Sequence, residues 1–237
     1  LLGEADFIAA EDTRVTLKLL NFLEIKKPLV SYYEHNKLES GPKIVSRIQN
    51  GETCVLVSDA GSPAISDPGE DLVRLCAEAG LTVCAIPGPC AVITALSISG
   101  LPTGRFCFEG FLSINKKSRQ EHLTGLKTER RTMIFYEAPH KLLATLKDLS
   151  AAFGEDRRVS LCRELTKLHE EVVRTTLGEA VQKYTENAPR GEFVVVVEGA
   201  KQVPDEAITL EAGAKLVQAE VEKGLSKKDA VKLIARQ

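Results

Sequence analysis

Short apolar runs alternate with longer stretches whose apolar positions recur every three or four residues, and this rhythm continues along most of the chain. DFIAA (6–10), PLVSYY (28–33), TCVLVS (53–58), LTVCAI (81–86), FCFEGF (106–111), RTMIFYE (131–137), RVSLCRE (158–164) and EFVVVVEG (192–199) read as strands. Several are apolar at both parities, the mark of a strand covered on two faces. Between them, Leu142, Leu143, Leu146, Leu149 and Phe153 share one helical face, and Ile44, Val45 and Ile48 do so ahead of Gly51, a natural helix stop.

Alternating strand and helix predicts an α/β fold whose first sheet is mostly parallel. The texture changes after about Arg105, where Lys116, Lys117 and Arg119 open a polar helix. The hairpin-like EEVVRTTLG predicts a mixed second sheet. Beyond Gly199 the pattern is helical, with Ser226 and Asp229 at capping-box spacing. The predicted organisation is two α/β domains, 1–110 and 111–200, followed by a helical tail, 201–237.

Composition narrows the class without naming a function. A net charge of −2 and 27% charged residues are ordinary for a soluble protein. Six scattered cysteines, with no C-x-x-C and no metal-like pairing with the four histidines, predict reduced thiols, no metal and a cytoplasmic protein. Leu81 to Gly104 carries no charge, yet Pro87, Gly88, Pro89, Gly100 and Pro102 divide it into pieces too short to span a membrane. A buried core segment is the expectation there.

Two connections are unusually rich in turn-formers. In LVSDAGSPAISDPG the strand 53–58 runs into Asp59-Ala60-Gly61-Ser62-Pro63, and Asp67-Pro68-Gly69-Glu70 reads as a helix start with Asp67 as N-cap. In CAIPGPCAVITAL the strand 81–86 ends at Pro87-Gly88-Pro89, and a helix begins near Cys90. Glycine lets a ligand approach the main chain, helix N-termini favour anionic groups, and such loops lie where ligands bind in open α/β sheets. No G-x-G-x-x-G follows a strand, and G-x-x-x-x-G-K-[ST], H-E-x-x-H and G-x-S-x-G are absent. Spacing alone stops at an α/β enzyme that binds a small polar ligand.

Several strings take the reading further. IAAEDTR (8–14), EHN (34–36), LVSDAGSPAISDPG, IPGPCAVITALSISGLP, RFCFEGFL, FYEAPHKL, RELTK (163–167) and GEFVVVVEG run in order across residues 6–199. They resemble the ribosomal RNA small subunit methyltransferase I family, the 16S rRNA cytidine 2′-O-methyltransferases of the tetrapyrrole methylase superfamily. The resemblance implies two α/β domains, S-adenosylmethionine in the cleft between them, a homodimer, and 16S rRNA of the small ribosomal subunit as substrate. That family opens with a strand and a Pro-x-Gly-Asn turn flanking the cofactor. This sequence begins after them, so one wall of the site is expected to be missing, and the family's C-terminal tail stops early, at Gln237.

Carried over by position, the resemblance implies that Asp59, Ala60, Gly61, Pro63 and Ile65 form a first cofactor loop. Pro87, Gly88, Cys90 and Ala91 form a second, and Tyr136, Glu137, Leu165 and Thr166 contribute from the second domain. For the proton of the acceptor hydroxyl, the candidates are Glu11, Asp12, Arg14, Glu109 and Glu137, with Arg163 and Glu164 beside them, each at a strand end. Glu11-Asp12 also fits a simple helix cap ahead of Thr13. The basic stretch 113–131 (Lys116, Lys117, Arg119, Lys127, Arg130 and Arg131 against Glu121 and Glu129) reads either as an RNA contact or as a solvated helix face. Two rivals stand beside this reading: a small-molecule methylase acting on a tetrapyrrole, and a non-catalytic α/β domain that binds a ligand.

Overall fold

The structure, a computed structural model, describes residues 1–201 and 210–234. The first sheet has three parallel strands, β1 (Phe7–Ala10), β2 (Leu29–Ser31) and β3 (Cys54–Val57), in the order β2-β1-β3. β1 is central, and its four residues FIAA are all fully buried. Parallel neighbours need crossovers, supplied here by α1 (Thr13–Phe22) and α2 (Lys37–Gln49). Ile44 of α2 is buried with Phe7, Tyr32, Leu72 and Cys76, the last two from α3 (Gly69–Glu78), and Val45 and Ile48 pack against that core.

The second sheet has five strands, β4 (Phe106–Gly110), β5 (Thr132–Glu137), β6 (Arg158–Arg163), β7 (Glu171–Thr176) and β8 (Phe193–Val197), in the order β4-β5-β8-β6-β7. β4 and β5 are parallel and the remaining pairs antiparallel, so the sheet is mixed as predicted, and EEVVRTTLG supplies the β7 arm of a hairpin. The apolar stripe of α6 (Pro139–Phe153) and the face of α7 (Leu177–Glu186) cover one side of this sheet. Its other side is covered by α4 (Ala91–Ile98), where Val92, Ala95 and Leu96 pack with Ile134, Cys162, Val194 and Val196. A helix from the first half of the sequence therefore completes the core of the second sheet.

Two expectations change. LTVCAI (81–86) forms no ladder and no regular element, and Val83 and Ile86 are 49% and 64% exposed. A strand exists only by hydrogen-bonding a neighbour, and among the described residues β3 pairs with β1 alone. The helix after Pro68 begins at Gly69, one residue later than expected, so Pro68 rather than Asp67 is its N-cap, while Asp67 Oδ1 accepts from the Gly69 N–H at 2.7 Å.

α5 (Lys116–Gly125) is the predicted polar helix. In the tail, α8 (Leu210–Glu222) and α9 (Lys227–Ile234) are helical. The Ser226 hydroxyl accepts from the Asp229 N–H at 3.2 Å, one half of a capping box, while the Asp229 carboxylate accepts from that same hydroxyl at 2.6 Å rather than from the Ser226 N–H. The part of the tail prediction that falls on 202–209 and 235–237 lies outside the described residues. Among the described residues, no helix is long and apolar enough to cross a membrane.

Candidate functional site

The carboxyl ends of β1 and β3 are laced together by EDTR and the Asp59 loop. Glu11 Oε2 accepts from the Ser58 hydroxyl at 3.2 Å, while Asp59 Oδ1 accepts from the Asp12 N–H at 3.3 Å. Asp12 also caps α1, accepting from Arg14 N at 2.8 Å, and it holds the Arg14 guanidinium at 3.0 and 2.6 Å. The guanidinium's hydrogen bonds lower the Asp12 carboxyl to about 2. Asp12, and more weakly the nearby Asp59, raise Arg14, whose side chain is 88% exposed.

The two turn-rich loops meet. The Ser62 N–H donates to the Pro89 carbonyl at 2.9 Å, and the Ser62 hydroxyl donates to the same oxygen at 3.2 Å. Gly61 has φ +79°, and a side-chain carbon there would lie 3.2 Å from that carbonyl. One at Gly88 would lie 3.2 Å from the Ser62 hydroxyl. Both glycines therefore keep main chain exposed in a narrow gap, a cradle that any side chain would fill. Asp59, Ala60, Ile65, Pro87, Gly88 and Ala91 are exposed around it, with Pro63 and Cys90 half-buried.

The second sheet closes on this gap from the other side. Tyr136 lies near the first turn of α4, within electrostatic reach of Cys90 and the Val92 N–H, and burial pushes its phenol up. Leu165, Cys90 and Tyr136 belong to one apolar cluster. Backbone strain gathers in the same place: of the five non-glycine residues with positive φ among those described, Ala64 (68°) and Ser66 (65°) belong to the first loop, and Glu164 (49°) and Thr166 (65°) to the loop after β6. A β-branched threonine in that region is costly and persists only where surrounding contacts enforce it. Here Glu164 accepts from Glu192 N and Lys167 Nζ at 2.9 and 3.0 Å, and Thr166 N donates to Glu170 at 2.6 Å.

Glu109 and Glu137 point elsewhere. Along β5, Met133 and Phe135 face the α6 core and Ile134 and Tyr136 the α4 side, so strand alternation sends Glu137 toward α6. It is 4% exposed and accepts from the Ala138 N–H at 2.9 Å and from the Thr145 hydroxyl at 2.5 Å. Glu109 meets His122 Nε2 of α5 at 2.8 Å. Neither carboxylate reaches the gap, and sequence reasoning had not paired His122 with Glu109.

The basic stretch 113–131 is divided by the fold. Lys116 and Lys117 begin α5, whereas Lys127, Arg130 and Arg131 follow its far end, a helix of ten residues away, about 15 Å. Arg119 is held by Asp148 at 2.6 Å, and Arg131 by Glu129 at 2.7 Å.

Phe111 was also overlooked, although it ends the strand reading FCFEGF. β4 and β5 pair Phe108 with Ile134 but Gly110 with Phe135, leaving one extra residue on β4, a β-bulge. With Gly110 at φ +63° the chain turns back. Phe108 and Phe111 then flank Tyr136 edge-on, with ring centroids 4.9 and 5.6 Å away.

Comparison with known proteins agrees with this fold. Residues 1–181 match the profile of the family described as Tetrapyrrole (Corrin/Porphyrin) Methylases. The chain is 45% identical over 236 residues to the ribosomal RNA small subunit methyltransferase I of Synechocystis sp., covering 100% of this chain and 85% of that protein. It is 44% identical over 238 residues to the protein of that name from Bacillus subtilis, covering 99% of this chain and 81% of the relative. Among solved structures, a cobalamin biosynthetic enzyme, cobalt precorrin-4 methyltransferase, superposes with a TM-score of 0.58 at 18% identity, covering 83% of this chain and 85% of that one. A diphthine synthase gives 0.57 at 13% identity over 83% and 81%. At such identities these structures speak to the fold alone.

Proposed function

This chain belongs to the tetrapyrrole methylase family, and from that premise we propose that it methylates 16S rRNA of the small ribosomal subunit, at the 2′-oxygen of a cytidine ribose, with S-adenosylmethionine as donor. The observation that carries the reading is 45% identity along the whole chain with a ribosomal RNA small subunit methyltransferase I. The crevice where the two loops meet supports it. In this reading the chain acts as two lobes near the 1–110 and 111–200 division, with α4 and β4 joining the second, and the protein works in the cytoplasm, where ribosomes are.

Asp59, Ala60, Gly61, Pro63 and Ile65 hold the donor from one side, and Pro87, Gly88, Cys90 and Ala91 from the other. Tyr136, Leu165 and Thr166 close the crevice from the second sheet. The fit rests on the bare main chain at Gly61 and Gly88, which a Cβ would obstruct. When bound, the donor supplies an electrophilic methyl carbon, so the protein's contribution is alignment and management of the acceptor proton.

Of the five candidates for that proton, Glu137 and Glu109 serve α6 and His122. Asp12, at about 2, stays ionised and is a poor proton acceptor. Glu11 ties Ser58 to the donor loop. Arg14, cationic, exposed and near Asp59, is the group in this reading that stabilises negative charge developing on the 2′-oxygen.

Two measurements test the proposal. Calorimetry with S-adenosylmethionine should show saturable binding, and its absence removes the donor assignment. Tritiated methyl transfer to small subunits from cells lacking this gene product should label one cytidine ribose of 16S rRNA. Donor binding without label in 16S rRNA removes the acceptor assignment.

A further inference from the structure

We infer that Phe111 is a stacking platform for a base of the substrate RNA beside the methyl-transfer crevice, with Lys116, Lys117 and Lys141 taking flanking phosphates. The inference rests on the RNA reading above and deepens it. A single exposed phenylalanine is unremarkable, but this one is placed by unusual backbone. Without the bulge, strand alternation would turn residue 111 to the side of sheet occupied by α5 and α6. The extra residue and the left-handed Gly110 return it to the side of Tyr136 and α4.

The ring is 57% exposed although one edge already rests on Tyr136. Its neighbour Gly110 lies against the first loop, since a Cβ there would sit 3.7 Å from the Ser66 hydroxyl. Phe111 therefore stands between the Asp59–Ser66 loop and Tyr136, at the mouth of the crevice.

The charges around it have the sign RNA needs. β4 and β5 are parallel, so the chain leaves both at the same end, into α5 and α6, which pack side by side on one face of the sheet. Lys116 lies five residues beyond Phe111, within about 17 Å of extended chain. Among the described residues, no carboxylate lies within 4 Å of Lys116 or Lys141, and Lys117 has only Glu121 at 4.0 Å. The helix end itself is not the anion site, because Asn115 already accepts from the N–H groups of Lys117 and Ser118.

A ribose offered to a methyl donor needs its base held elsewhere, and every base has a face that stacks on an aromatic ring. Only an unstacked, single-stranded nucleotide presents that face, which favours a loop or splayed residue over a duplex.

The test uses Phe111→Ala, Phe111→Trp and the double variant Lys116→Glu/Lys117→Glu in the full chain. Readouts are methyl transfer to small subunits, donor affinity, and anisotropy of a fluorescein-labelled single-stranded RNA across a salt series. Phe111→Ala is expected to raise KM for subunits and weaken RNA binding by about tenfold or more, with donor affinity unchanged and Phe111→Trp restoring both. The lysine variant is expected to weaken RNA binding and flatten its salt dependence by roughly two phosphate contacts.

Unchanged RNA affinity in Phe111→Ala overturns the inference. So does a parallel loss of donor binding, which would make the ring part of the donor wall. A shift from dimer to monomer in sedimentation would mean that a second copy covers the ring, and that also overturns it. If the wild-type chain binds donor but labels no rRNA, the functional reading falls, and the anisotropy series alone decides the role of Phe111.

Discussion

The Ser62 N–H and the Pro89 carbonyl are hydrogen-bonded at 2.9 Å, although twenty-six residues separate them in the chain. One contact joins two loops that share neither a strand nor a helix, and the proposed donor site is built around it. Gly61, immediately before Ser62, combines a positive φ with a Cβ position close against the Pro89 carbonyl. Gly61→Val is expected to abolish donor binding by calorimetry, because its Cβ would press on Pro89 and its φ of +79° is hostile to a β-branched residue. The local strain, about 1–3 kcal/mol, leaves the fold intact, with far-UV circular dichroism close to wild type. Undiminished donor affinity would move the site elsewhere.

Arg14 separates binding from chemistry. Arg14→Ala is expected to lower kcat by about a hundredfold, the scale seen when a donor to developing oxyanion charge is removed, while donor affinity stays within twofold. Arg14→Lys should recover part of the rate. A wild-type kcat in Arg14→Ala would leave Arg14 as no more than a partner for Asp12.

Glu137 should behave as a structural carboxylate. Glu137→Ala removes the acceptor of the Ala138 N–H and the Thr145 hydroxyl, and leaving buried polar groups unpaired costs about 1–3 kcal/mol. Urea unfolding should show that loss, while kcat measured well below the melting temperature remains near wild type. A large fall in kcat at unchanged stability would return Glu137 to the list of catalytic groups.

Tyr32 offers a gain. Its ring is 1% exposed, its hydroxyl has no partner among the described residues, and burial pushes the phenol up. Tyr32→Phe keeps the ring and discards the unpaired hydroxyl, so the protein should be stabilised by roughly 1 kcal/mol, or about 2–4 °C for a chain of this size. A lower melting temperature would reveal a hydrogen bond to an ordered water.

Glu129 sets an acid dependence. Hydrogen bonds from the Arg131 guanidinium and main chain hold its carboxyl at about 2, below the ordinary 4.5. A lowered folded-state value means stabilisation that is fully present above the unfolded value and is lost as pH falls through the folded one. The stability gap between wild type and Glu129→Gln should therefore be constant from pH 7 to about 5 and shrink toward pH 2. A gap that ignores pH would show that the ion pair contributes nothing.

Much of the architecture was legible because it is written in short-range periodicity. The apolar face of α6, the uniformly apolar β8 and the Ser226 hydroxyl that accepts from the Asp229 N–H depend on neighbours a few residues away, which a linear pattern records. LTVCAI (81–86) was misread for the opposite reason. Its composition is that of a strand, but pairing needs an adjacent edge, and no local pattern states whether one is there. The basic stretch 113–131 was legible only as charge along the chain, since a helix of ten residues carries its two ends apart and Asp148 and Glu129 lie beside two of its arginines.

By itself, then, the amino-acid order determined the strand-helix alternation, the two glycine-proline loops and the motif strings that carry the family resemblance. Only the tertiary structure decided that Ser62 reaches Pro89, that α4 completes the core of the second sheet, that Glu137 turns inward while Tyr136 faces the crevice, and that the bulge at Gly110 brings Phe111 back beside Tyr136. The reason is physical. Local periods arise from backbone geometry within a few residues, whereas the direction of a side chain at a strand end depends on register, and register is set by every strand packed around it.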